Sequence, residues 1–182
     1  MPEHTDVVEL LKAQHTRIRE LLDRVAATEG DERKRTFHEL VRLLAVHETA
    51  EEEVVHPFAR RNIEGGEQIV KERVEEEEHA KQVLYRLDDM DPGSPEFMEQ
   101  FTALRRDVLA HAEAEERYEF SRFADVADRG KLKNLARAVK AAESVAPTRP
   151  HPGTDTAPKN LATGPVAAVI DRTRDVIRKA MG

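Results

Sequence analysis

Two stretches of this 182-residue chain carry side chains capable of chemistry at matching intervals. HETAEEEVVHPF begins at His47 and HAEAEERYEFSRF begins at His111, and each sets a glutamate four residues after a histidine, His47 with Glu51 and His111 with Glu115. That interval puts both side chains on one face of a helix. The pairs also lie on apolar stripes. Phe37, Leu40, Leu44, His47, Glu51, Val54 and Phe58 advance by threes and fours, and so do Phe97, Phe101, Leu104, Val108, His111, Glu115 and Tyr118. A polar residue that interrupts such a stripe at the stripe's own interval faces the core. His47, Glu51, His111 and Glu115 are therefore expected to point inward.

Two more histidines fit the same geometry. His15 lies between Leu11 and Ile18, and His79 is followed by Val83 and Leu87. Positions 15, 47, 79 and 111 are each 32 residues apart, so in a bundle of similar helices the four imidazoles are expected at one level. A buried carboxylate without a partner costs several kcal/mol, and no inward Lys or Arg neutralises Glu51 and Glu115. A cation would. The chain has no cysteine, which leaves nitrogen and oxygen ligands and points to iron, manganese or zinc. Six ligands exceed the needs of one tetrahedral zinc and match a dinuclear site, two histidines on each metal with both glutamates bridging. The competing interpretation is a buried polar network satisfied by hydrogen bonds alone. His4 and His151 fall outside the helices, and His38 and His56 lie nine residues either side of His47, half a turn round, so all four are left out of the site.

The elements that must position these residues are helical. Asp6 with Glu9 resembles a capping box and opens a first helix over about residues 6 to 28. A second runs from Asp31 to near Arg60 and Arg61, with Pro57 expected to kink or end its last turn. A third spans about Glu67 to Asp88, closed by DPGSP; Ser94 and Pro95 then start a fourth. Short connections imply antiparallel neighbours. The expected fold is all-α, an up-down antiparallel four-helix bundle over residues 1–128, with a C-terminal helical extension. That extension consists of a short helix over 129–143, a proline-rich linker over 144–165 and a basic amphipathic tail helix over 166–182.

Composition excludes several classes. With 36% charged residues, 4% aromatic and a net charge of -7, the chain lacks the basic footprint of a nucleic-acid binder. No run approaches the roughly 18 apolar residues of a spanning helix, and no signal sequence is visible. A cytoplasmic protein without an integral membrane segment is expected. The tail helix is expected to dock on the bundle or on a sister subunit in a homodimer, with a membrane-surface or partner-protein helix as the alternative.

The ordered set His15, His47-x-x-x-Glu51, His79, His111-x-x-x-Glu115 resembles the ligand pattern of the hemerythrin-like, HHE cation-binding family, over about residues 5 to 125. The doubled glutamates Glu51-Glu52 and Glu115-Glu116, and Pro57, are similar to that family as well. The linker and tail resemble extensions of some actinobacterial members. The resemblance implies a non-haem di-iron centre with an oxo or hydroxo bridge, holding O2, H2O2 or NO as small ligands. The chain departs from the oxygen-carrying members at helix C, where Glu75 stands in place of a fifth histidine four residues before His79. Glu75 is a weaker candidate for an extra ligand.

Two octahedral irons offer about 12 positions, the six side chains fill about 8 and a solvent-derived bridge about 2, leaving about one open position per iron. Peroxide turnover in a catalase-like cycle, or O2 binding, is the expected function. The alternative is a non-catalytic module that binds iron or senses O2 or NO and signals through the C-terminal tail. Tyr118 is a candidate to hydrogen-bond a ligand, and Phe37, Leu44, Phe101 and Leu104 are expected to line the apolar surroundings. Ferritin-like oxidation fits less well, because its Glu-x-x-His motif reverses the order and shortens the interval.

Overall fold

Helix starts in this chain are set by local side-chain chemistry. In the computed structural model, which describes residues 6–146, Asp6 accepts hydrogen bonds from the backbone N–H groups of Val8 and Glu9 and opens α1, Val7–Ala27. Ser94 does the same for Phe97 N–H, with Pro95 at the first helical position, where its missing N–H leaves no donor unsatisfied. Such caps are worth about 1 kcal/mol each. Asp128 caps the last described helix by accepting from Lys131 N–H.

The remaining helices follow as α2, Gly30–Ala50; α3, His56–Asn62; α4, Gly66–Asp88; α5, Pro95–Glu115; α6, Ser121–Val126; and α7, Arg129–Glu143. Between α2 and α3 the chain makes a π turn, Glu51–Val55, and between α5 and α6 a second, Glu116–Phe120. Neither π turn breaks its helix, so α2–α3 and α5–α6 form two continuous rods. Each π turn begins at or just after the glutamate of a His-x-x-x-Glu pair. Pro57 does not end the rod, because α3 continues to Asn62. In a regular helix its ring would strike the carbonyl of Glu53. The wider turn, in which His56 N–H reaches Glu51 C=O, lies where that clash would fall.

The reversal into α4 depends on two glycines. Gly65 takes φ 70°, a left-handed conformation that costs a side chain roughly 1–2 kcal/mol. Gly66 packs so closely that a Cβ there would lie 2.3 Å from the Ala59 carbonyl oxygen.

The four rods pack in a ring, α1 against α2, α2–α3 against α4, α4 against α5, and α5 against α1. The fifth, α7, lies on the outside of α1 and α2 and against the first π turn. The fold is all-helical, a four-helix bundle with an added C-terminal helix. The linker over 144–165 extends beyond the described residues, and the tail helix over 166–182 lies wholly outside them. Among the described residues no helix is long and apolar enough to cross a membrane.

The core is divided in two. One apolar cluster joins Leu11, Val54, Phe58, Phe120 and Phe123 to Leu135 and Val139 of α7. The other joins Ile18, Leu22, Phe37, Leu40, Leu44, Leu84, Phe97, Phe101 and Leu104. In the second, Phe37 meets Phe97 edge-on with ring centroids 5.0 Å apart, and Phe97 stacks on Phe101 at 5.9 Å. Between the two clusters lies a slab of buried polar residues. A gap of this kind in an otherwise close-packed interior needs a chemical reason.

Candidate metal centre

Three helices bring five of the six expected ligands together. His15 comes from α1, His47 from α2 with Glu51 at the start of the first π turn, and His111 and Glu115 from α5. His15, His47, Glu51 and Glu115 form one set whose nitrogen and oxygen atoms all lie within 4.8 Å of one another, and Glu51, Glu77, His111 and Glu115 form a second. Glu51 and Glu115 belong to both. The oxygens of Glu115 divide between the sets, Oε2 lying 3.3 Å from His15 Nε2 and Oε1 lying 3.4 Å from His111 Nε2. His47 Nε2 is 3.1 Å from Glu51 Oε1 and 3.2 Å from His15 Nε2.

The sixth expected ligand is elsewhere. His79 is 62% exposed, with Nε2 4.0 Å from Asp107 Oδ2. Steps of four residues drift by roughly 40° each around a helix, so tracing back from buried Leu87 through Val83 to His79 leads off the inward face. The buried stripe of α4 is Val70, Arg73, Glu77, Ala80, Leu84 and Leu87, and Glu77 holds the position at the level of the cluster. Glu75 is also exposed and paired with Lys71 at 3.9 Å.

The π turns move other side chains. An added residue per turn shifts the register beyond it, so His56 is buried rather than half a turn away, and its Nε2–H donates to Glu77 Oε1 at 2.6 Å. Beyond Glu115 the inward position passes from Tyr118, which is 46% exposed under the Arg117 guanidinium, to the buried Glu119. Periodicity at 3.6 residues per turn could not show either change. Glu77 was visible on its stripe, but it stands within the run Glu75 to Glu78, which reads as a solvated face.

Each histidine of the cluster is held from outside by Nδ1. His15 Nδ1–H donates to Glu116 Oε1 at 2.9 Å, and Arg19 donates to the same oxygen at 2.8 Å. His111 Nδ1–H donates to Glu76 Oε2 at 2.8 Å, whose other oxygen accepts from Arg73 at 2.8 Å. His47 Nδ1–H donates to Gln14 Oε1 at 2.7 Å. The three Nε2 atoms are thereby turned inward, the orientation that outer partners impose on metal-bound imidazoles.

The electrostatics of the slab suit a cation. Glu51, Glu77, Glu115 and Glu119 are all buried, and both oxygens of Glu51, Glu115 and Glu119, with Oε2 of Glu77, have no hydrogen-bond partner. Burial, with Glu115 and Glu77 alongside, pushes Glu51 well above the ordinary carboxyl range. Burial and Glu115 raise Glu119 to about 7, and burial and Glu77 raise Glu48 to about 8. Glu115 goes the other way, because His111 and His15 outweigh its burial and hold it well below that range. His47 is lowered to about 3 by burial and by His15. His111 is raised, its burial outweighed by Glu115. The carboxylates of the two sets, Glu51, Glu77 and Glu115, can offset much of the charge of two divalent ions, and His15 and His47, whose outward nitrogens carry the protons, aim their lone pairs at one point. The donor set fits a metal pair.

A cavity of about 510 Å³ reaches this slab between α4 and α5. Buried His15, His47 and Glu77 line its inner part, and exposed Glu75, His79 and Asp107 its outer part, so small molecules have a path inward.

The model of the family described as Hemerythrin HHE cation binding domain matches residues 6–123. The chain belongs to the hemerythrin HHE cation-binding family. Hemerythrin-like domains bind metal ions, and the matched residues span the whole polar slab while ending before α7. An uncharacterised hemerythrin-like protein of Schizosaccharomyces pombe is similar to the chain, 25% identical over 156 residues that cover 85% of this chain and 77% of the relative. No solved structure shows a significant match.

Proposed function

We propose that this hemerythrin-family chain holds two iron ions and, when loaded, disproportionates hydrogen peroxide. One ion is held by His15 and His47, the other by His111 and Glu77, and Glu51 and Glu115 are shared. The observation that carries the reading is the pair of ligand sets with two carboxylates in common, set at the inner end of an open cavity. Three imidazoles with at least three carboxylates make a harder set than four histidines would, and it suits iron or manganese over softer metals.

Bound iron supplies the redox chemistry. In the net reaction one peroxide is reduced to water while a second is oxidised to O2, so no outside reductant is needed. The chain's residues do the rest. Glu116, Glu76 and Gln14 orient the three imidazoles, and His56 holds Glu77 through its Nε2–H. Glu119, raised to about 7, can hold a proton on either of its unpartnered oxygens beside the cluster at neutral pH. An oxygen-rich ligand set favours the oxidised metal, which disfavours reversible O2 carriage.

The test is O2 release from peroxide by the iron-loaded chain, measured with an oxygen electrode. Release that depends on iron and falls at least tenfold in Glu115→Gln supports the proposal. A chain that holds two irons and releases no O2 refutes it. A second reading, non-catalytic sensing of O2 or NO, is favoured by one observation: α7, which leads into the C-terminal segment, packs on the α1 and α2 side of the centre.

A further inference from the structure

The three outer partners of the cluster are not alike. His15 and His111 donate to carboxylates, Glu116 and Glu76, which can only accept, so each fixes its imidazole with the proton on Nδ1. Both carboxylates come from the bundle itself. His47 faces an amide instead, and an amide has no direction of its own, since either its oxygen or its NH2 group can point at the ring.

The direction comes from α7. Gln14 Nε2 donates to Glu143 Oε1 in a short contact, at the last residue of that helix. A carboxylate there can only accept, so the Gln14 NH2 must turn outward and its oxygen must turn to His47. That oxygen in turn demands a proton on Nδ1. A neutral imidazole has one proton, so Nε2 is left with a lone pair aimed at Glu51 and His15. Glu143 lies beyond the residues 6–123 that match the family, on a helix held to the bundle by Leu135, Ala138, Val139 and Ala142, all buried.

We infer that Glu143 is a positioning residue for the metal centre: acting through Gln14, it fixes the His47 tautomer, so the helix outside the family domain completes the ligand set. The consequence for metal rests on the reading of the cluster as a metal site. The tautomer itself does not.

The experiment uses the full chain, metal-free and 15N-labelled at pH 7.5, with long-range proton–nitrogen correlation to read the His47 tautomer, assigned by loss of its signals in His47→Asn. The wild type is expected to carry the Nδ1 proton, and Glu143→Ala and Gln14→Leu are expected to populate the Nε2–H form. Val139→Ala, which loosens α7 packing without touching the relay, is expected to leave the tautomer unchanged. Exchanging the pair, Gln14→Glu with Glu143→Gln, puts a carboxylate beside His47 and an amide on α7, and should restore the Nδ1–H form. In parallel, with Co(II) as the probe, Glu143→Ala should weaken one of two bound ions about tenfold, at the low end of outer-partner effects, with no change in Val139→Ala.

An unchanged tautomer in Glu143→Ala, or an equal change in Val139→Ala, would overturn the inference. A wild-type chain that shows the relay-dependent tautomer and binds no cobalt supports the relay and counts against the metal reading, so the two failures are distinguishable.

Discussion

His56 of α3 and Glu77 of α4 meet through a 2.6 Å hydrogen bond inside the bundle, each 2% exposed. The contact fixes one oxygen of Glu77 and leaves the other, Oε2, without a hydrogen-bond partner. It also puts a buried carboxylate of α4 at the level where a histidine was expected.

Removing Glu77 should therefore cost metal, and removing His79 should not. Glu77→Ala is expected to lower iron from about two to about one per chain, since the second ion would keep only His111 and the shared glutamates. His79→Ala should retain the wild-type amount. Elemental analysis after anaerobic loading and desalting checks both. Iron loss in His79→Ala with none in Glu77→Ala would mean that α4 turns its other face inward.

The helices themselves were legible in the sequence, because their signals are local. Asp6, Ser94 with Pro95, and Gly65 with Gly66 each announce a start or a reversal through chemistry confined to a few residues. The inward placement of His15, His47, Glu51 and Glu115 was legible because a polar residue that interrupts an apolar stripe at the stripe's own interval faces the core. The two π turns were not, since they change the period that such reasoning assumes. His56 and Glu119 enter the slab and Tyr118 leaves it for that one reason. On α4 the reason was different: counted back from buried Leu87 and Val83, four-residue steps reach His79 off the buried face, while Val70, Arg73, Glu77, Ala80 and Leu84 stay on it.

The same register argument predicts contrasting outcomes one residue apart. Tyr118→Phe changes only an exposed side chain and should leave metal content and stability within about 0.5 kcal/mol of wild type. Glu119→Gln removes a buried charge beside the cluster. It should raise the stability of the metal-free chain, by relieving repulsion with Glu115, and weaken metal binding. Thermal unfolding with and without metal reads both; equal effects of the two substitutions would contradict the placement of the second π turn.

Metal should also stabilise the fold. Ligand at a thousand times its dissociation constant adds about 4 kcal/mol per site, on the order of 10 °C in Tm for a chain of this size. Chelation should remove that increment, and a Tm unchanged by chelation would argue that the slab is satisfied without cations.

The pH dependence of the metal-free chain has a definite sign between pH 6.5 and 8. Glu119 at about 7 and Glu48 at about 8 titrate above their unfolded value, so the folded state holds protons that the unfolded state has lost. Stability from these groups falls as pH rises through that window. His111, raised above its ordinary value, acts in the same direction, because its contribution is present below its unfolded pKa and lost as pH climbs through the folded one. His47, lowered to about 3, acts mainly below pH 6.5, where stability falls as pH drops. Tm of the chelated chain should therefore decline from pH 6.5 to 8. Metal affinity should rise over the same range, with protons released on loading. Calorimetric titration in buffers of different ionisation enthalpy counts those protons, and proton uptake on loading would contradict the assignment.

The most direct test is anaerobic titration of the metal-free full chain with Fe(II), followed by Mössbauer spectroscopy of the oxidised product. Sharing of Glu51 and Glu115 between two ligand sets predicts saturation at two ions per chain, magnetic coupling between them, and loss of that coupling in Glu115→Gln. Saturation at one ion or none, or two uncoupled ions indifferent to Glu115→Gln, would contradict a bridged pair at this site.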